Sequence, residues 1–129
     1  MKQHTPYEVV RKHPEDFRVE YEFIKHPDGS FIQRPFQGMR CDFSYEGDDI
    51  ENYMIHPEFE DENGSVITNL DAEIQEKGIA KMWVLIPEMR EKIHRTKAFE
   101  GAICYFKVGA KIIAKAKIIE IVGLNENPS

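Results

Sequence analysis

Several lysines near the end of the sequence could bind phosphate or carboxylate groups, because they recur at short intervals in a strand-like segment. With the glycine of the turn between them, they are Lys107, Gly109, Lys111, Lys115 and Lys117. Residues two apart on a strand point to the same side, so these lysines should form one exposed basic strip. Lys111 would leave the strip only if a bulge lay near Ile112 and Ile113. This basic strip is the first candidate site, and it would bind anionic groups by ion pairing.

A second candidate site is acidic and would suit a basic partner. Residues 41–80 carry twelve acidic residues and a single lysine. The candidate contact residues are Asp48, Asp49, Glu58, Glu60, Asp61 and Glu62. Their spacing lacks the glycine and the bidentate glutamate that a calcium-binding loop requires. We therefore interpret this segment as a solvated acidic surface and not as a metal site.

No segment has the residue spacing of a catalytic, metal or nucleotide site. His13, His26 and His56 each precede a proline, which is typical of turns and extended segments. No glycine-rich phosphate loop is present, and no serine lies in a nucleophile elbow. The sequence therefore predicts a non-enzymatic protein with no catalytic residues, no metal ion, no cofactor and no nucleotide.

Composition indicates one globular domain. The chain has 129 residues, of which 41% are hydrophobic and 31% are charged, and its net charge is −6. Residues 81–117 hold nine basic and three acidic residues, so the charge is strongly separated along the sequence. No apolar run is long enough to span a bilayer, and no secretory signal is visible. With Cys41 and Cys104 read as free thiols, we expect a cytoplasmic protein.

Short strands separated by turns indicate an all-β fold. Alternation of apolar and polar residues predicts strands over 17–23 and 39–45, and a continuous apolar run predicts a buried strand over 79–86. Shorter candidates lie at 53–55 and 66–67, and a hairpin over 101–121 reverses at Gly109. One helix is expected at about 88–98. This pattern predicts a six- to seven-stranded antiparallel Greek-key barrel.

The expected organisation is a polar lead-in segment over 1–15, one barrel domain over 16–124 and a tail over 125–129. Strand alternation also predicts a shared interior face. Its expected members are Phe17, Val19, Tyr21, Phe23, Trp83, Leu85, Cys104 and Phe106.

From about residue 12 to residue 121, these segments in this order resemble the third domain, the C-terminal β-barrel, of elongation factor Tu. Lys12-His-Pro-Glu-Asp-Phe17 is similar to that family's Lys-Pro-His-Thr-Lys-Phe. Pro35-Phe-Gln-Gly-Met-Arg40 resembles Pro-Phe-Phe-x-Gly-Tyr-Arg. Phe106-Lys-Val-Gly-Ala-Lys111 falls on its Ile-Arg-Glu-Gly-Gly-Arg turn. The segment 87–101 is longer than its counterpart, and an acidic insertion lies around 48–62.

The resemblance implies a free-standing barrel of the translation-factor type, without the GTPase domain. In the family, this barrel contacts the phosphate backbone of aminoacyl-tRNA, partly through basic residues near the last hairpin. Lys107 and Lys111 stand at the positions of two of its arginines. Lysine lacks the bidentate fork of arginine, and the net charge is negative, so any RNA contact should be weak.

Two functions remain open from the sequence. The first is a macromolecular binding module that contacts a protein, or a tRNA or ribosomal partner, through the basic strip. The second is an immunity or inhibitor protein that neutralises a basic toxin through the acidic surface. A protein partner is expected in both cases, and no membrane partner is expected in either.

Overall fold

The computed structural model describes residues 2–48 and 51–129, and most of its regular structure is β-strand. The strands are β1 (Phe17–Phe23), β2 (Asp42–Tyr45), β3 (Ile55–Phe59), β4 (Lys77–Val84), β5 (Ile103–Val108) and β6 (Lys111–Ile121). A short helix, α1 (Tyr7–Arg11), precedes β1. Between β4 and β5, a π-helical turn (Arg90–His94) continues into α2 (Arg95–Lys97).

Within the described residues, the six strands form one antiparallel sheet in the order β2-β5-β6-β1-β4-β3. Its two edges meet where Phe43 of β2 pairs with Tyr53, just before β3. Each of these residues donates its N–H to the other's carbonyl, at 2.9 and 2.7 Å. Pairing the edges in this way satisfies backbone groups that an open sheet would expose. The predicted all-β, barrel-like fold is confirmed.

The strand boundaries follow the predictions most closely where apolar and polar residues alternate. Strand β1 and the β5–β6 hairpin lie where they were predicted. Strand β3 begins at the end of the predicted 53–55 segment and continues into the segment predicted as an acidic surface. It includes Pro57, which cannot donate to a ladder but is tolerated because β3 is the last strand of the sheet order. Val66 forms only an isolated bridge, to Glu60.

The interior is filled by large side chains from alternate strand positions. The inward residues of β1 and β5 are those predicted: Phe17, Val19, Tyr21, Phe23, Cys104 and Phe106. The prediction for β4 was wrong, because Met82 and Val84 face the core in place of Trp83 and Leu85. In a continuous apolar run, periodicity does not determine which residues face inward.

The N-terminal segment was predicted as a polar lead-in, but residues 2–15 pack on the outer face of the barrel. The carboxylate of Glu58 accepts the backbone N–H of Tyr7 at 2.8 Å and lies 2.5 Å from His4 Nε2. Its other oxygen accepts Trp83 Nε1 at 3.0 Å. Trp83 is therefore fully buried outside the barrel interior. The C-terminal residues are also packed, since Asn127 is buried.

The predicted helix at 88–98 is confirmed, since residues 88–97 are helical. Its middle, Arg90–His94, is π-helical and places Arg90 and His94, four residues apart, on the buried side. A π turn is wider than an α turn, so both large polar side chains fit against the barrel end. Periodicity of the apolar residues alone could not predict this.

Candidate functional site

Two of the predicted basic residues form an exposed pair on the outer face of β6. Lys115 and Lys117 are exposed, and both point away from the core residues Ala114, Ala116 and Ile118. In register with them on β1 lie Glu22, opposite Lys115, and Glu20, opposite Lys117. Opposite charges at directly paired positions attract. The lysines therefore alternate with a row of carboxylates and do not form an isolated basic surface.

Lys111 is separated from this pair by a bulge at the position considered in the sequence. The register shifts between Phe106 and Lys107, so Lys107 pairs with Ile112 and Phe106 pairs with Ala114. The residue between, Ile113, is fully buried, whereas Ile112 is 38% exposed. An extra residue reverses which side chains face outward. A single strip containing all four lysines is therefore wrong.

Lys107 is also not available as predicted, because it is only 8% exposed. It lies between neighbouring strands, with Asp42 of β2 directly opposite it. Gly109 occupies the tight turn with a φ of +62°, and its carbonyl accepts the Asn52 amide at 2.9 Å. The two positions that most resembled the family's RNA-contacting residues, Lys107 and Lys111, are thus buried and displaced, respectively.

A groove of about 490 Å³ runs across the outer face of β4, β1 and β6 beside the exposed pair. Charged residues of both signs line it: Glu20, Glu22, Lys77, Lys115 and Lys117. The half-buried Ile79 and Ile103 lie on either side of the charged residues, because Ile79 pairs with Glu20 and Ile103 pairs with Lys117. The Lys77 ammonium is 3.6 Å from the Glu22 carboxylate. The groove therefore carries charges of both signs on its central strands, β1 and β6, with one isoleucine on each flanking strand.

The acidic surface predicted around residues 48–62 is not formed as expected. Glu58 and Glu60 are buried, at 1% and 6% exposure, so neither can meet a partner. Glu58 holds the N-terminal segment, as described above. Glu60 accepts two hydrogen bonds from Arg18, at 2.9 and 2.8 Å. These bonds raise the pKa of Arg18 and keep its guanidinium charged.

The remaining acidic candidates are dispersed. Asp48 is ion-paired with Lys97. The Asp61 carboxylate accepts the backbone N–H groups of Asn63 and Ser65, at 2.9 and 3.0 Å, within its own turn. Glu62 is exposed, and Asp49 lies outside the described residues. Asp61 and Glu62 are the described members of this set that face solvent.

The structure brings together one polar cluster that the sequence did not reveal. His94 Nδ1 lies 2.9 Å from the hydroxyl of Tyr45, and both residues are buried. Burial lowers the pKa of His94 to about 4, against the opposing attraction of Asp16, so the imidazole is neutral at pH 7. Burial also raises the pKa of Tyr45, which keeps its proton. The only sequence signal was a pair of polar residues, Arg90 and His94, spaced four apart inside a predicted helix.

Within residues 2–48 and 51–129, no group of three or more His, Cys, Asp and Glu side chains is placed to hold a metal ion. Burial raises the pKa of both free thiols, Cys41 and Cys104, to about 12. A thiol that stays protonated at neutral pH is a poor nucleophile.

None of the described helices has the length and apolar character needed to cross a membrane.

Comparison with known proteins gives no family assignment. No family model matches the chain, and no curated protein matches it.

Proposed function

We propose that this chain is a non-enzymatic binding module whose partner is a protein, held in the groove across β4, β1 and β6. The register of β6 on β1 carries this proposal. Lys115 lies opposite Glu22, and Lys117 lies opposite Glu20. A partner that approaches this face meets positive and negative side chains in alternation.

Mixed charge favours a protein over a nucleic acid. Nucleic-acid binding draws its affinity from cations that neutralise successive phosphates, and each carboxylate in the row would oppose this. A protein surface can present both signs and match the alternation, which increases specificity. Ile79 and Ile103 lie on the strands that flank the paired charges, and they add apolar contacts of the kind that protein interfaces also use.

Kinship with the third domain of elongation factor Tu is part of the proposal, in a limited sense. The all-β barrel-like sheet and the glycine turn of the last hairpin support it. The burial of Lys107 and the separation of Lys111 argue against a conserved mode of tRNA contact. We therefore propose a barrel of this kind that binds a protein through a different face.

The first step of the test is to identify a partner. The immobilised chain would capture proteins from a lysate of its source cell, with and without nuclease, and mass spectrometry would identify what is retained. The proposal expects a protein whose capture survives nuclease. Loss of all specific capture after nuclease treatment would point to RNA and would overturn it.

The second step compares matched variants against the purified partner. Lys115→Gln with Lys117→Gln neutralises the exposed pair without placing like charges opposite Glu20 and Glu22. Binding should weaken roughly tenfold, because two partly exposed ion pairs contribute about 0.5–1 kcal/mol each. Lys111→Gln is the control and should bind normally, because the bulge separates it from the groove.

Equal affinity of the unmodified protein, the double variant and the control would contradict the proposal. Weakening only by Asp61→Asn with Glu62→Gln would favour the inhibitor function.

A further inference from the structure

A separate cavity of about 230 Å³ lies at the end of the barrel beside the π-helical turn. Its wall is mostly apolar and is formed by Tyr53, Met54, Val84, Ile86, Met89 and His94. Asn52 completes the lining, and none of the described residues that line the cavity is charged. It shares no lining residue with the groove across β4, β1 and β6. Any function of this cavity is therefore additional to the proposed protein contact.

His94 gives the cavity one fixed polar group. The Tyr45 hydroxyl keeps its proton and is buried, so this proton needs an acceptor, and His94 Nδ1 lies 2.9 Å away. When a neutral imidazole accepts at Nδ1, its own proton is on Nε2. Nε2–H is then the donor that His94 can offer to a molecule in the cavity.

Hydrogen bonds from two neighbouring arginines hold the helical turn that carries His94 in place. Arg90, one π turn earlier, donates to the Asp16 carboxylate at 2.7 Å and to the Val84 carbonyl at 3.1 Å. Just after His94, the Arg95 guanidinium donates to the carbonyls of Leu124 and Asn127, at 2.9 and 2.8 Å. π-Helical turns occur often at functional sites, and a donor fixed in advance binds with less loss of entropy.

The size and lining of the cavity limit what it can accept. An apolar cavity of about 150 Å³ can admit benzene, whereas pockets for drug-sized ligands are roughly 300–1,000 Å³. This cavity lies between these sizes, so one aromatic ring with a small substituent fits best. A charged group would lose its hydration without gaining a partner of opposite charge.

We propose that this cavity binds an uncharged, ring-sized small molecule that accepts a hydrogen bond from His94. Met54, just before β3, and Met89, just before the π-helical turn, line the cavity, whereas Met39 and Met82 lie in the barrel core. The two pairs of methionine methyl groups therefore distinguish binding in the cavity from general effects on the fold.

The test is a titration of protein labelled at its methionine methyl groups, followed by NMR. The probes are benzamide, which carries a neutral acceptor, toluene, which lacks one, and benzoate, which has nearly the same shape as benzamide but is charged. Benzamide should cause saturable shifts at Met54 and Met89 and leave Met39 and Met82 nearly unchanged. Toluene should bind more weakly at the same place. Benzoate should not saturate the site. Absence of saturable shifts with benzamide, or equal binding of benzoate, would overturn the proposal.

Two variants test the roles of the hydrogen bond and of the space separately. His94→Phe keeps a ring but removes the donor, so benzamide affinity should fall roughly fivefold while toluene binding is retained. Met89→Trp fills the cavity from its half-buried rim and should abolish binding of both probes, which keeps the test decisive if the first variant folds poorly. Val108→Trp, at an exposed position on β5 that does not line the cavity, is the matched control and should bind like the unmodified protein. Normal benzamide binding by Met89→Trp would contradict the proposal.

Discussion

Arg90 and Asp16 form a buried ion pair across 74 residues of sequence, with Arg90 Nε donating to Asp16 Oδ1 at 2.7 Å. The second carboxylate oxygen of Asp16 accepts the backbone N–H of Val84 at 2.8 Å. The Asn127 amide donates to Asp16 at 3.0 Å. Through these contacts the start of β1, the end of β4, the π-helical turn and the C-terminal residues are joined at one point.

Replacing one member of this pair should be strongly destabilising. Asp16→Asn keeps the size of the side chain but leaves the Arg90 guanidinium buried without its counter-charge. Such a change costs about 3–5 kcal/mol. Urea denaturation of the two proteins would measure the difference in the free energy of unfolding.

An exposed ion pair provides the control for this prediction. Arg34 and Glu73 lie 3.8 Å apart with both side chains mostly in solvent. Arg34→Ala should change stability by less than about 1 kcal/mol, as exposed pairs do. Similar losses for Asp16→Asn and Arg34→Ala would show that the buried pair contributes no more than a surface contact.

His94 should make the protein less stable in mild acid. Its pKa is about 6.5 in the unfolded chain and is lowered to about 4 in the fold by burial. As the pH falls below 6.5, the unfolded state takes up this proton first, so the stability that depends on a neutral His94 is progressively lost and is gone below about pH 4. A difference of this size corresponds to roughly 3 kcal/mol.

The measurement compares the unmodified protein with His94→Gln between pH 7 and pH 4. Glutamine can still bond the Tyr45 hydroxyl but does not titrate. Subtracting the two curves of unfolding free energy removes the shared contribution of other groups, such as His56, whose pKa burial also lowers. The difference should shrink towards low pH, whereas parallel curves would refute the assignment to His94.

The sequence predicted the elements whose side chains alternate and failed where a second layer covers the sheet. Strand β1 alternates without interruption, so its buried face was predicted correctly. In the continuous run that contains Trp83, both faces are buried, one by the core and one by the N-terminal segment. In such a run, periodicity does not indicate which side chains face the core and which face the outer layer.

The candidate site was predictable in its residues but not in its surroundings. Lys115 and Lys117 were expected to be exposed, and they are. Their carboxylate neighbours come from β1, about a hundred residues earlier, and this register depends on the whole sheet. The burial of Glu58 and Glu60 likewise depends on distant partners, His4 and Arg18, which local charge patterns do not reveal.

Phe106 should be among the most sensitive core positions. Its side chain is fully buried, and its ring lies 5.9 Å from that of Phe23. Phe106→Ala should cost about 3–5 kcal/mol, because it removes apolar contacts and leaves a cavity. Leu85→Ala should cost less, since Leu85 is only half-buried and does not belong to the core. If Phe106→Ala and Leu85→Ala lost equal stability in thermal and urea denaturation, this would contradict the finding that Met82 and Val84, and not Leu85, face the core.

Glu58 should control how firmly the N-terminal segment covers the barrel. Its carboxylate forms hydrogen bonds with His4, Tyr7 and Trp83 at the same time, whereas a glutamine has only one acceptor oxygen for these groups. Glu58→Gln should therefore cost about 1–3 kcal/mol and loosen this segment while the barrel stays folded.

Trp83 is the only tryptophan in the sequence, so its fluorescence reports on this contact directly. The emission maximum should move to longer wavelength, and quenching by acrylamide should increase at urea concentrations where the far-UV spectrum of the barrel is unchanged. Glu62→Gln, four residues along the same acidic segment but exposed, should leave both signals unaltered. If Glu58→Gln also leaves the fluorescence of Trp83 unchanged, the segment is held by its apolar and ring contacts and not by the carboxylate.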